Sequence, residues 1–291
     1  MVVKEILKST RPQQWIKNLF IFAALIFSQN ILNLPLLLKT LGAFVAFCFL
    51  SSSLYILNDL RDVEEDRHHP LKSQRPIASG RLKKRTAISF LIVLGAAGFL
   101  LASTLNLYFF LAALIYFLLQ VAYSFRLKHV VILDVFIIAA GFLIRVVAGG
   151  LAIEVDISHW LLICTALLAL FLSMSKRRHE LCLLEEKAVS HRSILREYNP
   201  YLLDQMIGVV TASTVVAYSL YTVSEETVAK FGTNKLILTV PFVLYGIFRY
   251  LYLVHQKDEG GSPEILIIKD RPLLLDIFLW IVAVVLILYW K

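Results

Sequence analysis

Long apolar runs, each close to the length that crosses a bilayer as a helix, follow one another along the whole chain with short polar segments between them. Nine are read: 15–34, 36–57, 86–105, 107–125, 131–151, 159–175, 203–223, 235–254 and 273–290. They are too long and too continuous for barrel strands, so only helices fit them. The pattern predicts an all-α, polytopic membrane protein with nine transmembrane helices, forming a single integral membrane domain over 1–291. The first run is the least regular, with Lys17 and Asn18 near its start and Gln29-Asn30 near its end. No short apolar stretch leads into a small-residue cleavage site, so no cleavable signal peptide is expected. The longest polar pieces are about 61–85 and 176–201. A third, 255–272, contains Gly260-Gly261-Ser262-Pro263 and reads as a loop. There is no repeat at a short solenoid period.

Composition agrees: 58% of residues are hydrophobic and mean hydropathy is +0.73. The formal net charge of +8 invites a nucleic-acid reading, but the distribution of charge argues against it. With the N-terminus inside, 23 of the 29 Lys and Arg residues fall in the cytoplasmic segments 1–17, 61–85, 126–130, 176–201 and 255–272. The opposite side holds only Lys39, Lys230, Lys235 and Lys291. This is the positive-inside asymmetry, and it places the N-terminus in the cytoplasm and the C-terminus across the membrane. Anionic substrates add to the basic excess; nucleic acid is not expected as a partner. Cys48, Cys164 and Cys182 form no CxxC pair and read as small hydrophobes in or near apolar runs.

The polar residues with chemistry to offer collect at one membrane face. The second run ends in Asn58-Asp59-Leu60-Arg61-Asp62-Val63-Glu64-Glu65-Asp66. On a helix turning about 100° per residue, Asp59, Asp62 and Asp66 share a stripe about 60° wide, while Glu64 and Glu65 point elsewhere. Carboxylates on one stripe at a membrane border repel unless a cation sits on them. Mg²⁺ bridging a pyrophosphate is the natural candidate, because hard cations take carboxylate and phosphate oxygens together. The same level receives Arg11, Gln14, Lys17 and Asn18 at the first helix, Tyr123-Ser124 and Lys128 after the fourth and Asp134 opening the fifth. Ser175-Lys176-Arg177-Arg178-His179-Glu180 reaches it at the end of the sixth.

Each piece has a plainer reading. The aspartates can be a solvated helix end. Lys72, Arg75, Arg81, Lys83, Lys84 and Arg85 can be topology anchors, and for Lys83 to Arg85 that reading is the better one. Lys72 and Arg75 sit in a Pro-bounded turn beside the carboxylates, which favours anion binding. Lys176, Arg177 and Arg178 divide between anchor and phosphate clamp, and Lys17 can snorkel. His68, His69 and His179 lack the paired spacing of a zinc site. Arg145 stands apart, about 16 Å past Asp134 along the fifth helix and near the bilayer middle. It must face a partner or a cavity, and structural pairing and a lipid-phosphate role both stay open.

On these residues the chain resembles the UbiA prenyltransferase superfamily over essentially its whole length. The likeness rests on the nine helices, Asn58-Asp59-x-x-Asp62-x-x-x-Asp66 after the second and Tyr123 with Lys128 after the fourth. The resemblance implies a nine-helix bundle with a cytoplasmic-face site, where a Mg²⁺–pyrophosphate substrate sits between two acidic motifs at the ends of helices 2 and 6. The second motif is missing here; Lys176-Arg177-Arg178-His179-Glu180 stands in its place. That departure, with Arg11-Pro12-Gln13-Gln14-Trp15-Ile16-Lys17-Asn18 and His69-Pro70-x-Lys72-x-x-Arg75-Pro76-Ile77, is similar to the branch of polyprenyl-phosphate phosphoribosyltransferases.

The branch implies transfer of 5-phosphoribose from phosphoribosyl pyrophosphate (PRPP) to a long-chain polyprenyl phosphate in a bacterial inner membrane. The product serves lipid-linked pentose donors and the cell envelope. Asp59, Asp62 and Asp66 would be the catalytic and metal-holding residues, and Asn58 would orient the pyrophosphate. Lys72, Arg75, Tyr123 and Asp134 would contact substrate. Lys176, Arg177, Arg178 and Glu180 would form the 5-phosphate pocket, and Lys17, Lys128 or Arg145 would meet the lipid phosphate. Glycines 141, 149 and 150 would allow close lipid or helix approach beside Arg145. The soluble phosphoribosyltransferase signature, an acidic pair running into Thr-Gly-Gly, is absent. Two other readings stay open: an intramembrane aromatic prenyltransferase, against which the missing second motif counts, and a transporter or flippase, which would spread polar residues through the membrane depth. Chain length of the lipid and oligomeric state, a homo-oligomer included, are left open.

Overall fold

The computed structural model describes residues 2–68, 72–184, 194, 197–257, 261 and 263–289, so His69, Pro70 and Leu71 of the expected turn lie outside the described residues. All regular structure among the described residues is helical, and eight helices are long and apolar enough to cross a membrane. The chain divides into two compact units, the first chiefly Met1–Ile157 and the second built from the rest.

The first unit holds α1 (Val2–Thr10), a 3₁₀ stretch (Pro12–Ile21), α2 (Phe22–Phe27), α3 (Leu34–Arg61), α4 (Val63–His68), α5 (Lys84–Leu105), α6 (Leu107–Phe125) and α7 (Leu133–Ile153). Two of its long helices start where the sequence supplies an asparagine cap. Asn33 accepts the Leu36 N–H at the start of α3 with Pro35 behind it, and Asn106 accepts the Phe109 N–H at 2.8 Å at the start of α6. Phe47, Phe109 and Tyr116 pack at the centre of the core, with Ile21, Leu25 and Ala148 against them.

The first apolar run differs from a plain spanning helix. Arg11 takes a left-handed backbone (φ 50°) and Pro12 then opens ten residues of 3₁₀ helix, followed by six of α-helix. At about 2.0 and 1.5 Å per residue the two pieces measure about 29 Å end to end, the thickness of a hydrocarbon core. The segment thus runs as 3₁₀ helix through the polar Lys17 and Asn18 and turns α-helical only at Phe22, and the nine-helix count is approximate. Gly149 of α7 lets this segment come close, because a Cβ there would run into the Ile21 carbonyl.

The second unit holds α8 (His159–Leu184), α9 (Pro200–Val223), α10 (Glu225–Phe231), α11 (Val240–Gln256, preceded by a 3₁₀ turn Lys235–Thr239), α12 (Pro263–Lys269) and α13 (Arg271–Tyr289). Asn199 caps α9 through the Leu202 N–H at 2.7 Å. Helix α8 outruns the apolar segment that predicts it. Lys176 to Glu180 remain helical, since Lys, Arg and Glu are good helix formers whatever their polarity.

Candidate functional site

Helix α3 carries the acidic stripe out of the apolar region. It ends at Arg61, and Asp62 caps it by donating its N–H to the Asn58 carbonyl at 2.9 Å. The Asp66 N–H then bonds the Asp62 carbonyl at 2.8 Å, so the helical spacing carries over the break into α4. Asp59 and Asp66 are buried, at 2% and 3% exposure. Their carboxylates converge on one atom. Nη1 of Arg75 donates to Asp59 Oδ1 at 3.0 Å and to Asp66 Oδ2 at 2.6 Å. The turn from Lys72 to Gly80 holds that arginine in place through Arg75 N–H to Lys72 C=O and Ser79 N–H to Arg75 C=O, each at 2.9 Å. Lys72 adds positive charge near Asp66. Burial nonetheless holds the Asp66 carboxyl above its ordinary range, outweighing Arg75.

Asp62 turns elsewhere. Lys128, in the 3₁₀ turn Leu127–His129 between α6 and α7, donates to both its oxygens at 2.7 and 2.9 Å. The expected stripe of three is therefore a convergent pair, Asp59 with Asp66, and a third carboxylate held by a lysine. Among the described residues no group of three or more His, Cys, Asp or Glu is placed to hold a metal by itself. Two hard carboxylate oxygens meeting at one cationic point do fit Mg²⁺, which takes one or two carboxylates and completes its shell with phosphate and water.

One further residue of this centre comes from a distant segment. Arg11 also donates to Asp59 Oδ1 and lies over the Tyr55 ring, 5.2 Å from its centroid. Lys17 donates to Gln14 within the 3₁₀ stretch. Tyr123 lies on the last turn of α6, half-buried, and Asp134 is fully buried in the first turn of α7. The sequence already places Arg11 on the site's membrane face and in the motif that carries the resemblance, without giving it a role of its own.

Arg145 sits in a separate, deeper network and is 4% exposed. It donates to Asn18 Oδ1 (2.8 Å), the Gly141 carbonyl (2.8 Å) and the Tyr116 hydroxyl (2.7 Å), with the faces of Tyr116 and Phe142 against it. Asn18 in turn donates to Cys48 Sγ and Ser51 Oγ. Those α3 residues lie about 12–16 Å along the helix from Asp59. These three partners of the arginine are neutral acceptors, and they tie α7 and α6 to the 3₁₀ stretch.

The second unit gathers its own charges at the end of α8. Arg177, 2% exposed, pairs with Glu180 at 2.5 Å on the same helix. Arg178 donates to Asp204 of α9 at 2.5 Å, and His255 of α11 reaches the same Asp204 oxygen at 3.2 Å. Lys176 is half-buried on the same turn. Asp204 and His255 were not among the expected site residues, since nothing in their local sequence marks them as partners of Arg178.

Comparison with known proteins matches residues 18–282 to the UbiA prenyltransferase family. A decaprenyl-phosphate phosphoribosyltransferase of Mycolicibacterium smegmatis is 34% identical, covering 96% of this chain and 91% of that one. The protein of the same name from Corynebacterium glutamicum is 33% identical, covering 97% and 86%. A UbiA homolog from Archaeoglobus fulgidus, solved with DMAPP and Mg²⁺, shares the fold at a TM-score of 0.75 and 19% identity, covering 99% of this chain and 100% of that one. With a family match across most of its length and eight helices fit to cross a bilayer, the chain is an integral membrane protein and belongs to the UbiA prenyltransferase family.

Proposed function

We propose that the protein transfers 5-phosphoribose from PRPP to the phosphate of a long-chain polyprenyl lipid and releases pyrophosphate. The observation that carries this reading is full-length similarity, at 34% identity, to a decaprenyl-phosphate phosphoribosyltransferase. The pairing of Asp59 and Asp66 at one cationic point supports it, because a diphosphate leaving group needs a divalent cation held by few carboxylates. The whole chain is proposed to act as one catalytic domain in a bacterial inner membrane, with the N-terminus cytoplasmic and the C-terminus on the opposite side.

In this reading Asp59, Asp62 and Asp66 are the catalytic carboxylates. Bound Mg²⁺ supplies charge neutralisation on the departing pyrophosphate. Asp59 and Asp66 fix the cation's place, while Arg75 and Lys72 turn toward diphosphate oxygens. Lys128 holds Asp62 in place through bonds to both its oxygens, and Asn58 lies one residue from Asp59 to meet the diphosphate. Lys17, Tyr123, Asp134 and Arg145 are proposed substrate-binding residues of the first unit; the three neutral anchors of Arg145 assign it to holding the 3₁₀ stretch around Lys17 as well. The end of α8, with Lys176, Arg177, Arg178 and Glu180, is proposed as a phosphate-recognition cluster in its own right. The lipid phosphate oxygen attacks C1 of ribose as the C1–O bond to pyrophosphate breaks. A phosphate monoester dianion is already nucleophilic, so no protein base is needed, and catalysis is positioning and leaving-group stabilisation.

The test supplies purified protein with Mg²⁺ and either PRPP with a panel of polyprenyl phosphates or a prenyl pyrophosphate with an aromatic acid. The expected product is a lipid-linked phosphoribose, abolished by EDTA. Prenylation of the aromatic acid with no product from PRPP establishes the aromatic prenyltransferase reading instead.

A further inference from the structure

Arg11 is placed at some conformational cost. Its φ of 50° and ψ of 64° lie in the left-handed region, which glycine and asparagine enter easily and a long side chain does not. Backbone strain of this kind persists where the surrounding structure enforces it, and it clusters at functional sites. Here it sets the junction between α1 and the 3₁₀ stretch and aims a guanidinium at the acidic centre.

That guanidinium and Arg75 together face two buried carboxylates, because Nη1 of Arg75 is shared between Asp59 Oδ1 at 3.0 Å and Asp66 Oδ2 at 2.6 Å. Arg11 nonetheless has donor capacity beyond its place in that charge balance. The bond to Asp59 uses one of the five donors of Arg11. The side chain is one-quarter exposed while Asp59 is 2% exposed, so the arginine forms part of the open side of the cluster and the carboxylate its floor. The Tyr55 ring, 5.2 Å from the guanidinium, helps hold it there. A planar fork of donors at the open side of a paired-carboxylate centre suits phosphoryl oxygens.

The geometry points to Arg11 as a substrate-contacting residue that binds a diphosphate oxygen of the phosphoribosyl donor beside Asp59. This assignment rests on the proposed use of PRPP. Phosphoryl oxygens are also offered by the lipid acceptor; the shared carboxylate with Arg75 assigns Arg11 to the donor.

The test compares wild type with Arg11→Asn, which tolerates the left-handed backbone, and Arg11→Lys, which keeps the charge without the fork. Four quantities are read: KM for PRPP, KM for polyprenyl phosphate, the inhibition constant of inorganic pyrophosphate, and the thermal midpoint in detergent. For Arg11→Asn the KM for PRPP and the pyrophosphate inhibition constant rise together by about 10- to 100-fold, the loss of a charge-assisted contact. The KM for polyprenyl phosphate stays within about twofold, and the midpoint changes little, relieved backbone strain and the remaining Arg75 offsetting the lost partner of Asp59. Arg11→Lys shows a smaller rise in the same two constants and carries the test by itself if the asparagine variant does not fold. A rise confined to polyprenyl phosphate, or PRPP and pyrophosphate constants equal to wild type, overturns the assignment. Wild-type protein that turns over PRPP while Arg11→Asn matches it overturns the role of Arg11 alone; wild-type protein that ignores PRPP overturns the parent reading and this one with it.

Discussion

The acidic end of α3 and the basic end of α8 solve the same electrostatic problem with opposite signs inside. At the arginine pairs of the first unit the carboxylate is the buried group: Asp59 is 2% exposed under Arg11 at 25% and Arg75 at 22%, while at Asp62, 14% exposed, the lysine is the more buried partner at 8%. In the second the arginines are the buried groups. Arg177 is 2% exposed beneath Glu180 at 23%, and Arg178 is 14% exposed beside Asp204 at 35%. An incoming anion therefore meets guanidinium groups first at α3 and carboxylates first at the arginine pairs of α8. The two clusters also differ in range. Asp59 and Asp62 draw their cations from 48 residues before and 66 residues after, whereas Arg177 finds its carboxylate three residues along the same helix.

The largest expected effect breaks the α3 side of this comparison. Asp59→Asn removes the shared anion of Arg11 and Arg75 and one arm of the cation site. Turnover of PRPP falls about 10²- to 10³-fold or more, the scale of losing a preorganised electrostatic contact to the transition state. Steady-state rates at saturating substrates check it, and an unchanged thermal midpoint separates it from unfolding. Lys128→Met comes next. It leaves Asp62 half-enclosed without its lysine, and breaking a buried pair on one side costs about 3 kcal/mol. Adding Asp62→Asn to it recovers most of that loss in denaturant or thermal unfolding; if the double variant is no better than the single, the pair is not what holds the 127–129 turn.

On the α8 side, Asp204→Asn uncovers Arg178 from its carboxylate. If Arg178 meets phosphate, the KM for PRPP drops several-fold in Asp204→Asn and rises several-fold in Arg178→Ala. Equal constants in all three proteins reduce the α8 cluster to a structural pair. The smallest effect concerns acid stability. Asp270 accepts from Arg249 at 2.8 Å and from the Leu273 N–H at 2.9 Å, and the arginine holds its carboxyl below the usual range. Its folded pKa lies below the unfolded 3.8, so its stabilisation is full above about pH 4 and is lost as pH falls through the depressed folded value. Asp270→Asn keeps a cap for α13, lowers stability at neutral pH and flattens the acid limb of a melting-temperature profile.

The spans were legible because each is an unbroken apolar run, and helices α5, α6 and α13 fall within two residues of the runs at 86–105, 107–125 and 273–290. The acidic stripe was legible because helical periodicity places Asp59 and Asp66 on one side. What periodicity could not show is that α3 stops at Arg61 and that Asp62, as its cap, turns to a lysine 66 residues away. The break in the first segment showed only as irregularity, since its cause is tertiary: Asn18 is drawn to Ser51 and Arg145, and Ile21 is seated on Gly149. Arg145 was legible as a buried cation in need of partners, but not as one held by neutral groups, because Asn18 lies 127 residues from it. The helical course of Lys176–Glu180 was missed because polarity was read as the end of a helix.

The central claim is that the carboxylates at the end of α3 drive transfer from PRPP to a lipid phosphate. The direct measurement follows PRPP labelled in its β-phosphate and in its ribose, with Mg²⁺ and a polyprenyl phosphate, in wild-type and Asp59→Asn protein of matched thermal midpoint. The account predicts that wild type forms labelled pyrophosphate and lipid-linked phosphoribose in equal amounts, and that the variant forms neither above background. Lipid product from the variant at the wild-type rate, or pyrophosphate release by wild type with no lipid product, contradicts it.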